Sequence, residues 1–455
     1  MTRLRRSELL ALGAVVALAA ALRLVGVRYG LPYSLLNPDE TSIVPRAWRI
    51  AHGHGLDPHW YDYPSLLMYV LASLQALYGH ASFGAARGVA VALGLGGVAA
   101  AWWLGRCAYG RGAGLVGAAT VAVATTHVAY SREAVTDVPM TLAVTCSLAL
   151  MLSGRLEWAG LAVGLAAAFK YPGAVALVPL VIAGWGRWRA VARAGVIAAC
   201  TFALATPFVL VHAGRAWDST SRVNRLARAG WLGFEHDSPT PVAYLDRLWG
   251  AVGPVLALGL LGLLIALWRR SRTDLVLVSF ALAYWLTLMP QRAHFDRYIL
   301  PLVPVLGVLA ARVRPAVPLA VALLVVPLVW SIGDARRLTH TDTRAAAVPL
   351  VERAVPAAAS VAADPSTPPL SRHVLELALP GPGRPTDRNR DLPRLRSLGV
   401  RYVLITGSVT DRVLRARSRY PVESRFYVAL ARLRPIVDVE PRHGLTGPWV
   451  RLYEI

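Results

Sequence analysis

Residues 9–40 read LLALGAVVALAAALRLVGVRYGLPYSLLNPDE, a long apolar run that two adjacent carboxylates, Asp39 and Glu40, follow closely. The run 9–28 is close to the ~20 residues that a helix needs to cross a bilayer. Carboxylates at the outer end of such a helix are unfavourable unless they meet water, a cation or a reacting hydroxyl. The stretch therefore predicts a membrane helix that leads directly into a candidate functional site.

A local structural role is the alternative for the same two carboxylates. Asn37 and Glu40 have the spacing of a capping box, and Pro38 would stand at the first helical position. In that interpretation the carboxylates only complement the positive end of a helix dipole. The rest of the chain has to decide between the two interpretations.

The composition is that of an integral membrane protein. Of the 455 residues, 55% are hydrophobic and only 16% are charged, and the mean hydropathy is +0.47. A cleavable signal peptide is not predicted, because Arg3, Arg5 and Arg6 precede a run without a clean small-residue cleavage site and more apolar runs follow.

The net charge of +22 could suggest a nucleic-acid partner. The arginines, however, cluster in short loops between apolar segments, which is the positive-inside pattern of membrane proteins. A basic footprint on one folded face, which a nucleic-acid binder needs, is not visible. Nucleic acid is therefore not predicted as a partner.

The apolar runs and their flanking arginines predict a mainly α, polytopic protein with about eleven spans and a cytoplasmic N-terminus. The spans are 9–28, 85–104, 112–130, 136–152, 157–169, 172–185, 195–213, 253–268, 273–290, 298–311 and 315–332. The run 64–79 would reverse every later loop if it crossed, so it is predicted to lie along the outer surface or dip into it. The first long loop, 29–84, is then structured, and Pro45 should kink its amphipathic helix or make that helix start late.

An odd number of spans places the C-terminal part outside the cytoplasm. Its composition is more polar and richer in proline, so the chain is divided into a transmembrane domain, 1–333, and a small extracytoplasmic α/β domain, 334–455, for support or acceptor binding. The predicted strands and helices of the second domain are Ser360–Ala363, Arg401–Ile405 and Trp449–Glu454, and 391–398 and 409–418.

Charged residues in three short outer loops break the positive-inside bias on the side where Asp39 lies. They are Arg132 and Asp137 in SREAVTD, Lys170 in AAFKYPG, and Arg292, His294, Asp296 and Arg297 in QRAHFDRY. Lys170 is the sole lysine of the chain, and an ammonium binds phosphate as a point charge. Carboxylates beside cations at the membrane surface suit an anionic headgroup and the removal of a proton from an alcohol.

Each of these residues also has a local interpretation. Lys170 could complement the C-terminal end of a helix dipole. Arg132 and Asp137 could form a mutual salt bridge at a helix start. Arg297 and Tyr298 could anchor the last spans at the membrane interface.

The motifs NPDE, YDYPSLLMYV, SREAVTDVPM and GLAAAFKYPGAVALVPL follow one another in that order. The order resembles the GT-C glycosyltransferases that use polyprenyl-phosphate sugars, above all the bacterial branch related to protein O-mannosyltransferases and the lipid A aminoarabinose transferase. The resemblance covers roughly residues 1–310. It implies a GT-C membrane fold in the bacterial inner membrane and inverting transfer of a sugar from a polyprenyl-phosphate donor to a hydroxyl of a protein, glycan or lipid acceptor on the extracytoplasmic side.

The resemblance also implies roles for individual residues. Catalytic roles are implied for Asp39 and Glu40, because Asp39 matches the base at the acceptor and Glu40 matches its acidic neighbour. Asp137 matches the second acidic motif. Donor-phosphate binding is implied for three cations, which are Lys170, Arg132 and Arg297. Further candidates for the same site are Tyr63, Tyr298 and Arg292.

The first long loop contains histidines that could bind a metal cofactor. Some GT-C enzymes bind a divalent metal through acidic and histidine residues, and His52, His54 and His59 lie here. The HGHG stretch is more simply a solvated turn, so no cofactor is predicted, and a divalent metal stays open as the alternative. The oligosaccharyltransferase branch is disfavoured because its WWDYG motif is missing.

Two other classes of function remain open. A transporter or flippase of an anionic lipid-linked sugar would place charges near the bilayer midplane between repeated halves, and no internal repeat is seen here. A non-catalytic membrane scaffold would have little use for an acidic pair and a lone lysine.

Overall fold

The computed structural model describes residues 6–313 and 316–455. Arg3 and Arg5, which precede the first apolar run, lie outside the described residues, as does Arg314 of the last predicted inner loop.

Helices occupy every predicted span. Those of the membrane part are Arg6–Leu24, Phe83–Tyr109, Arg111–Val123, Thr125–Tyr130, Asp137–Leu152, Leu156–Phe169, Leu177–Ala183, Trp188–Ala205, Pro207–Val211, Val255–Arg269, Arg272–Leu288, Leu302–Ala310, Ala316–Leu323 and Val325–Arg337. Two short 3-10 segments, Tyr171–Ala176 and Asp296–Ile299, each lead into a helix. The prediction of a mainly α membrane protein is confirmed.

Several predicted spans consist of more than one helix. The span 112–130 is interrupted at Ala124, and 195–213 at Thr206. Among the described residues, four helices are singly long and apolar enough to cross a bilayer, and one pair bent by 118° is a further candidate. The count of about eleven spans therefore stays a prediction.

The first long loop contains two helices, Pro38–Ala51 and Leu66–Gln75. The first begins at Pro38 because the side chain of Asn37 accepts a hydrogen bond from the backbone N–H of Asp39, at 3.0 Å. Pro45 lies inside this helix, so the prediction of a late start is wrong. The second helix has only ten residues, too few to cross a bilayer by itself, in keeping with a run that does not span.

Between the predicted spans 195–213 and 253–268 the chain forms two helices that the hydropathy pattern did not indicate. They are Ala213–Ala229 and Thr240–Val252, joined by the connection 230–239. The first is polar and rich in arginine, so it carries no span-like signal. It contacts the first long loop through an ion pair of 2.6 Å between Arg222 and Asp62.

The C-terminal part contains a five-stranded mixed sheet. Its strands, in spatial order, are Val374–Glu376, Val361–Ala363, Tyr402–Thr406, Val450–Glu454 and Val437–Val439. The first three are parallel and the last two pairings are antiparallel. A second, two-stranded parallel sheet joins Thr341–Asp342 to Leu445–Thr446. The α/β prediction is confirmed, and the three predicted strands are shifted by one residue at most at either end.

Helices cover both faces of this sheet. Thr343–Ala354 packs on one face, and its Ala347 and Val351 join the core with Val361 and Leu404. The helices of the other face are Leu392–Ser397, Gly407–Arg415 and Pro421–Leu430. The boundary predicted at 333/334 falls inside the helix Val325–Arg337, so the two-domain division stays a prediction.

The C-terminal part contacts the segment that leads to Asn37. Arg344 donates a hydrogen bond of 2.7 Å to the backbone carbonyl of Leu35, and the hydroxyl of Thr446 lies 3.1 Å from that of Tyr29. The start of the helix Pro38–Ala51 is therefore braced from two sides, by the membrane helices and by the C-terminal part.

Candidate functional site

Asp39 lies in the first turn of the helix Pro38–Ala51. Its Oδ2 accepts a hydrogen bond from the hydroxyl of Tyr63 at 3.0 Å and another from Nη1 of Arg297 at 2.7 Å. Its side chain is 20% exposed. The carboxylate is thus fixed by two donors and still reachable, which a general base requires.

Lys170 follows the last residue of the helix Leu156–Phe169. Its ammonium donates a hydrogen bond of 2.6 Å to Oδ1 of Asp137. The same nitrogen lies 5.3 Å from the ring centre of Tyr63 and 5.1 Å from that of Tyr298, within the range of cation–π attraction. A buried ammonium therefore has one carboxylate and two aromatic faces as neighbours.

Tyr63 joins the two halves of the site, because its hydroxyl contacts Asp39 and its ring contacts Lys170. The predicted candidates that the structure brings together are Asp39, Tyr63, Asp137, Lys170, Arg297 and Tyr298. We call these six residues the reaction cluster. It contains two carboxylates and two cations, so its formal charges balance.

Two buried polar atoms of the reaction cluster are unsatisfied. Oδ2 of Asp137 and Nε of Arg297 have no hydrogen-bond partner among the residues that the structure describes. An unsatisfied buried polar atom costs about 1–3 kcal/mol. Both atoms therefore have unused hydrogen-bonding capacity inside the reaction cluster.

Glu40 faces away from the reaction cluster and is fully buried. Its two oxygens accept from Nε and Nη2 of Arg87 at 2.9 and 2.7 Å, from Ser34 Oγ at 2.8 Å and from the Ala134 N–H at 3.0 Å. Because every partner is protein, the carboxylate is not accessible to substrate. The structure therefore gives the catalytic role predicted for Glu40 no geometric support, and its contacts tie the helix Pro38–Ala51 to its neighbours.

The capping-box interpretation is half right. Asn37 does cap the helix, but it bonds to Asp39, and the carboxylate of Glu40 turns to Arg87 instead of returning to the Asn37 backbone.

Arg87→Met is expected to lower the free energy of unfolding by about 3–5 kcal/mol, because it leaves the buried charge of Glu40 without its partner. Thermal unfolding of the purified protein in detergent measures the change. The matched control is Arg49→Met, an exposed arginine of the adjacent helix, which should shift stability by less than about 0.5 kcal/mol. Equal shifts in the two variants would show that the Glu40–Arg87 pair does not brace the site.

Arg132 does not join the reaction cluster. The turn after the helix Thr125–Tyr130 directs its buried guanidinium to the backbone carbonyl of Leu22, at the end of the first helix. Its predicted contact with the donor phosphate therefore stays a prediction without geometric support. The alternative of a salt bridge to Asp137 is wrong, because the partner of Asp137 is Lys170.

Arg292 is exposed, and its backbone N–H bonds to the Ala227 carbonyl at 2.9 Å. It lies where its loop packs on the helix Ala213–Ala229, and no recorded contact joins it to the reaction cluster. Its candidacy for the site finds no geometric support.

Sequence reasoning overlooked Glu133, which lies inside the SREAVTD motif. Its Oε2 accepts a hydrogen bond of 2.8 Å from the side-chain amide of Asn37. Burial raises the pKa of Glu133 to about 8, so the carboxyl is largely protonated at neutral pH. Glu133 lies between Arg132 and Asp137, two candidate site residues, and this position was the sequence feature that could have indicated it.

A cavity of about 430 Å³ has a wall that includes one residue next in the chain to the reaction cluster. Asp296, the neighbour of Arg297, lines it together with Arg247 and His294. Asp237 fixes both of these, through Nη2 of Arg247 at 3.1 Å and Nδ1 of His294 at 3.0 Å. We call this space the side cavity, and its volume suits a small polar ligand.

The loop histidines are engaged in local contacts. His52 stacks on Trp48 with ring centres 4.4 Å apart, and His59 lies 3.2 Å from Asp57. Within 6–313 and 316–455, no group of three or more His, Cys, Asp or Glu side chains is arranged to hold a metal ion.

Neither a protein-family profile nor a curated protein matches this chain. Solved structures do. ArnT from Cupriavidus metallidurans, a GT-C aminoarabinose transferase, matches in the apo state with a TM-score of 0.61 and 16% identity, over 98% of this chain and 97% of that one. The same protein bound to undecaprenyl phosphate gives a TM-score of 0.60 at 16% identity, over the same shares of the two chains.

The oligosaccharyltransferase AglB from Archaeoglobus fulgidus, in complex with an inhibitory peptide and a dolichol-phosphate, matches with a TM-score of 0.59 and 11% identity, over 97% of this chain and 74% of that one. The chain therefore has the fold of the GT-C membrane glycosyltransferases, as the motif order predicted. The likeness extends to both branches, so the fold does not separate them.

Proposed function

We propose that this protein is a membrane glycosyltransferase that moves a sugar from a polyprenyl-phosphate donor to an acceptor hydroxyl, with inversion, on the extracytoplasmic side of the bacterial inner membrane. The observation that carries the proposal is the joining of a reachable carboxylate, Asp39, to a buried ammonium, Lys170, through the single side chain of Tyr63. The neighbours that hold undecaprenyl phosphate or dolichol-phosphate support a lipid phosphate as the donor.

The reaction begins at Asp39. Its carboxylate takes the proton of the acceptor hydroxyl, and the oxygen attacks the anomeric carbon of the donor sugar. The bond from that carbon to the phosphate oxygen breaks, and polyprenyl phosphate leaves with the electron pair. One displacement inverts the configuration at the anomeric carbon.

The ion pair between Asp39 and Arg297 couples the two ends of this reaction. While Asp39 is ionised, its Oδ2 accepts a charge-assisted hydrogen bond from Nη1 of Arg297 at 2.7 Å. Once Asp39 carries the acceptor proton, the attraction is lost and the guanidinium becomes free for another anion. Negative charge grows on the departing phosphate at the same moment, so proton transfer and leaving-group stabilisation support each other.

Lys170 supplies a second donor to the phosphate. One of its three N–H groups is engaged by Asp137, and the ammonium lies between the rings of Tyr63 and Tyr298, from which it can turn to a phosphate oxygen. A donor aimed at developing negative charge is worth about 2.7–4 kcal/mol by analogy with oxyanion holes.

We assign the acceptor to the side cavity. Asp296 in its wall accepts from the Tyr130 hydroxyl at 2.7 Å and from the backbone N–H of Arg297 at 3.0 Å, so the cavity wall and the reaction cluster share one short segment. Arg247 and His294 offer polar contacts there, while the donor lipid approaches from the membrane.

Purified protein given a donor that is radiolabelled in the sugar, with a membrane extract as acceptor, is expected to transfer the label and release polyprenyl phosphate. Reconstituted vesicles test the transporter or flippase alternative in parallel. Movement of intact donor across the bilayer without cleavage would contradict the proposed transfer and favour that alternative. Boiled protein is the control for spontaneous hydrolysis.

A further inference from the structure

The C-terminal part holds a large surplus of arginine in one segment. Residues 334–455 contain 20 arginines and 12 acidic residues. Ten of these arginines, but only two of the acids, Asp411 and Glu423, lie within 392–434. This segment therefore contains the entire positive excess of the C-terminal part. It also forms the three helices on one face of the sheet, Leu392–Ser397, Gly407–Arg415 and Pro421–Leu430.

All ten arginines are exposed. The helices turn apolar side chains such as Leu395, Val413 and Phe426 to the sheet, so their charged sides face away from it. Five of the ten lie in these helices and five in the connections beside them, and we call the ten together the arginine layer. Those in the helices are Arg394, Arg396, Arg412, Arg415 and Arg425, and those in the connections are Arg401, Arg417, Arg419, Arg432 and Arg434.

No arginine of the arginine layer has a recorded ion pair with a carboxylate of the described residues. The two acids of the segment do not pair with these arginines. Asp411 accepts a hydrogen bond from the indole of Trp449 at 3.1 Å, and Glu423 is buried. In the same sheet domain, by contrast, the arginines Arg344, Arg372 and Arg390 are each paired. Exposed positive charges that lie close together and form no ion pairs within the protein favour an anionic partner.

The arginine layer borders the connection 230–239 that leads to the side cavity. The hydroxyl of Tyr420 donates a hydrogen bond of 2.5 Å to Glu235, and His236 lies 3.3 Å from the Arg415 carbonyl. The next residue, Asp237, holds Arg247 and His294 in the cavity wall. A ligand that lies on the arginine layer is therefore close to the space assigned to the acceptor.

The chemistry of the surface favours a soluble polyanion over a membrane. Insertion into a lipid interface uses a continuous exposed face of Trp, Phe and Leu side chains. The exposed large apolar residues of this segment are only Leu398, Val422 and Val428, and its aromatic residues are all buried; they are Tyr402, Tyr420, Phe426 and Tyr427. Guanidinium groups instead match phosphate and carboxylate oxygens bidentately.

We propose that the arginine layer binds an anionic glycan polymer that bears repeated phosphate or carboxylate groups, and that this polymer is the acceptor whose hydroxyl reaches the side cavity. The acceptor role rests on the proposed glycosyl transfer, whereas binding to the arginine layer does not. The two parts can therefore be tested separately.

Binding of fluorescent polygalacturonate and fluorescent polyphosphate to the full-length protein in detergent tests the proposal, with neutral dextran as the reference. The variant R419Q/R425Q/R432Q is expected to weaken binding on the order of tenfold, because it removes three charges and each charge pair at a solvated surface contributes modestly. The control R187Q/R189Q/R269Q removes the same charge from exposed arginines of predicted cytoplasmic loops and should bind as the unmodified protein does. Affinity should also fall as salt rises.

Binding of either polymer that only the first triple variant weakens supports the proposal, and the preferred polymer tells phosphate from carboxylate. Equal losses in both triple variants, or binding to anionic lipid vesicles with none to the polymers, would overturn it. Asp39→Asn should bind the polymer normally, so failure of sugar transfer and failure of polymer binding remain distinguishable.

Discussion

Asp39→Asn is expected to abolish sugar transfer while the protein still folds and binds its donor. Asparagine has the same size and keeps an oxygen that can accept from Tyr63, but its amide cannot take the acceptor proton. The loss of a general base lowers the rate on the order of 10²–10⁴-fold. Transfer of radiolabelled sugar by the purified variant, together with donor affinity in the same detergent, measures both effects.

The matched control for this variant is Asp62→Asn. Asp62 lies in the same loop, is exposed to a similar degree, at 18%, and has its own arginine partner, Arg222. Although Asp62 precedes Tyr63 in the chain, its side chain is bound by Arg222 and forms no hydrogen bond or ion pair with the described residues of the reaction cluster, so transfer should continue near the normal rate. If Asp39→Asn transferred sugar as fast as this control, Asp39 could not be the base, and the mechanism would need another proton acceptor.

Lys170→Met is expected to reduce use of the donor by about 10²–10³-fold, with the affinity for acceptor unchanged, since in the proposed mechanism the ammonium acts on the departing phosphate and not on the acceptor. Methionine fills the space between Tyr63 and Tyr298 but carries no charge. Steady-state kinetics with donor and acceptor varied in turn separate the two effects. A change confined to acceptor affinity would require the phosphate role to be abandoned.

Loss of activity in this variant could also come from misfolding, because the buried charge of Asp137 would lose its partner. Removing one member of such a pair costs about 3–5 kcal/mol. The double variant Lys170→Met/Asp137→Asn removes both charges and should recover most of that stability. If it regained donor use along with stability, Lys170 would be a structural cation only.

Much of the membrane fold could be predicted because burial in lipid demands apolar runs, and every such run chosen from the sequence is helical. The helices Ala213–Ala229 and Thr240–Val252 were not predicted, because their composition is mixed and their positions depend on tertiary contacts such as that of Arg222 with Asp62. The strands Val374–Glu376 and Val437–Val439 escaped because three residues are too few to show a period.

The sequence predicted which residues gather at the site better than it predicted where their side chains point. Asp39 and Glu40 are neighbours in sequence, but successive residues of a helix point about 100° apart at 3.6 residues per turn. One carboxylate therefore faces Tyr63 and Arg297, while the other faces Arg87. The direction of Arg132 was not predictable for the same kind of reason, since a loop position does not reveal which way a side chain turns.

The bond from Arg344 to the Leu35 carbonyl has a mechanical implication. Leu35 lies two residues before Asn37, the cap that fixes the helix bearing Asp39. The C-terminal part thus also supports the start of the helix that carries the proposed proton acceptor. A displacement of the C-terminal part, when something docks on it, would be transmitted over a few peptide units to the proposed reaction centre.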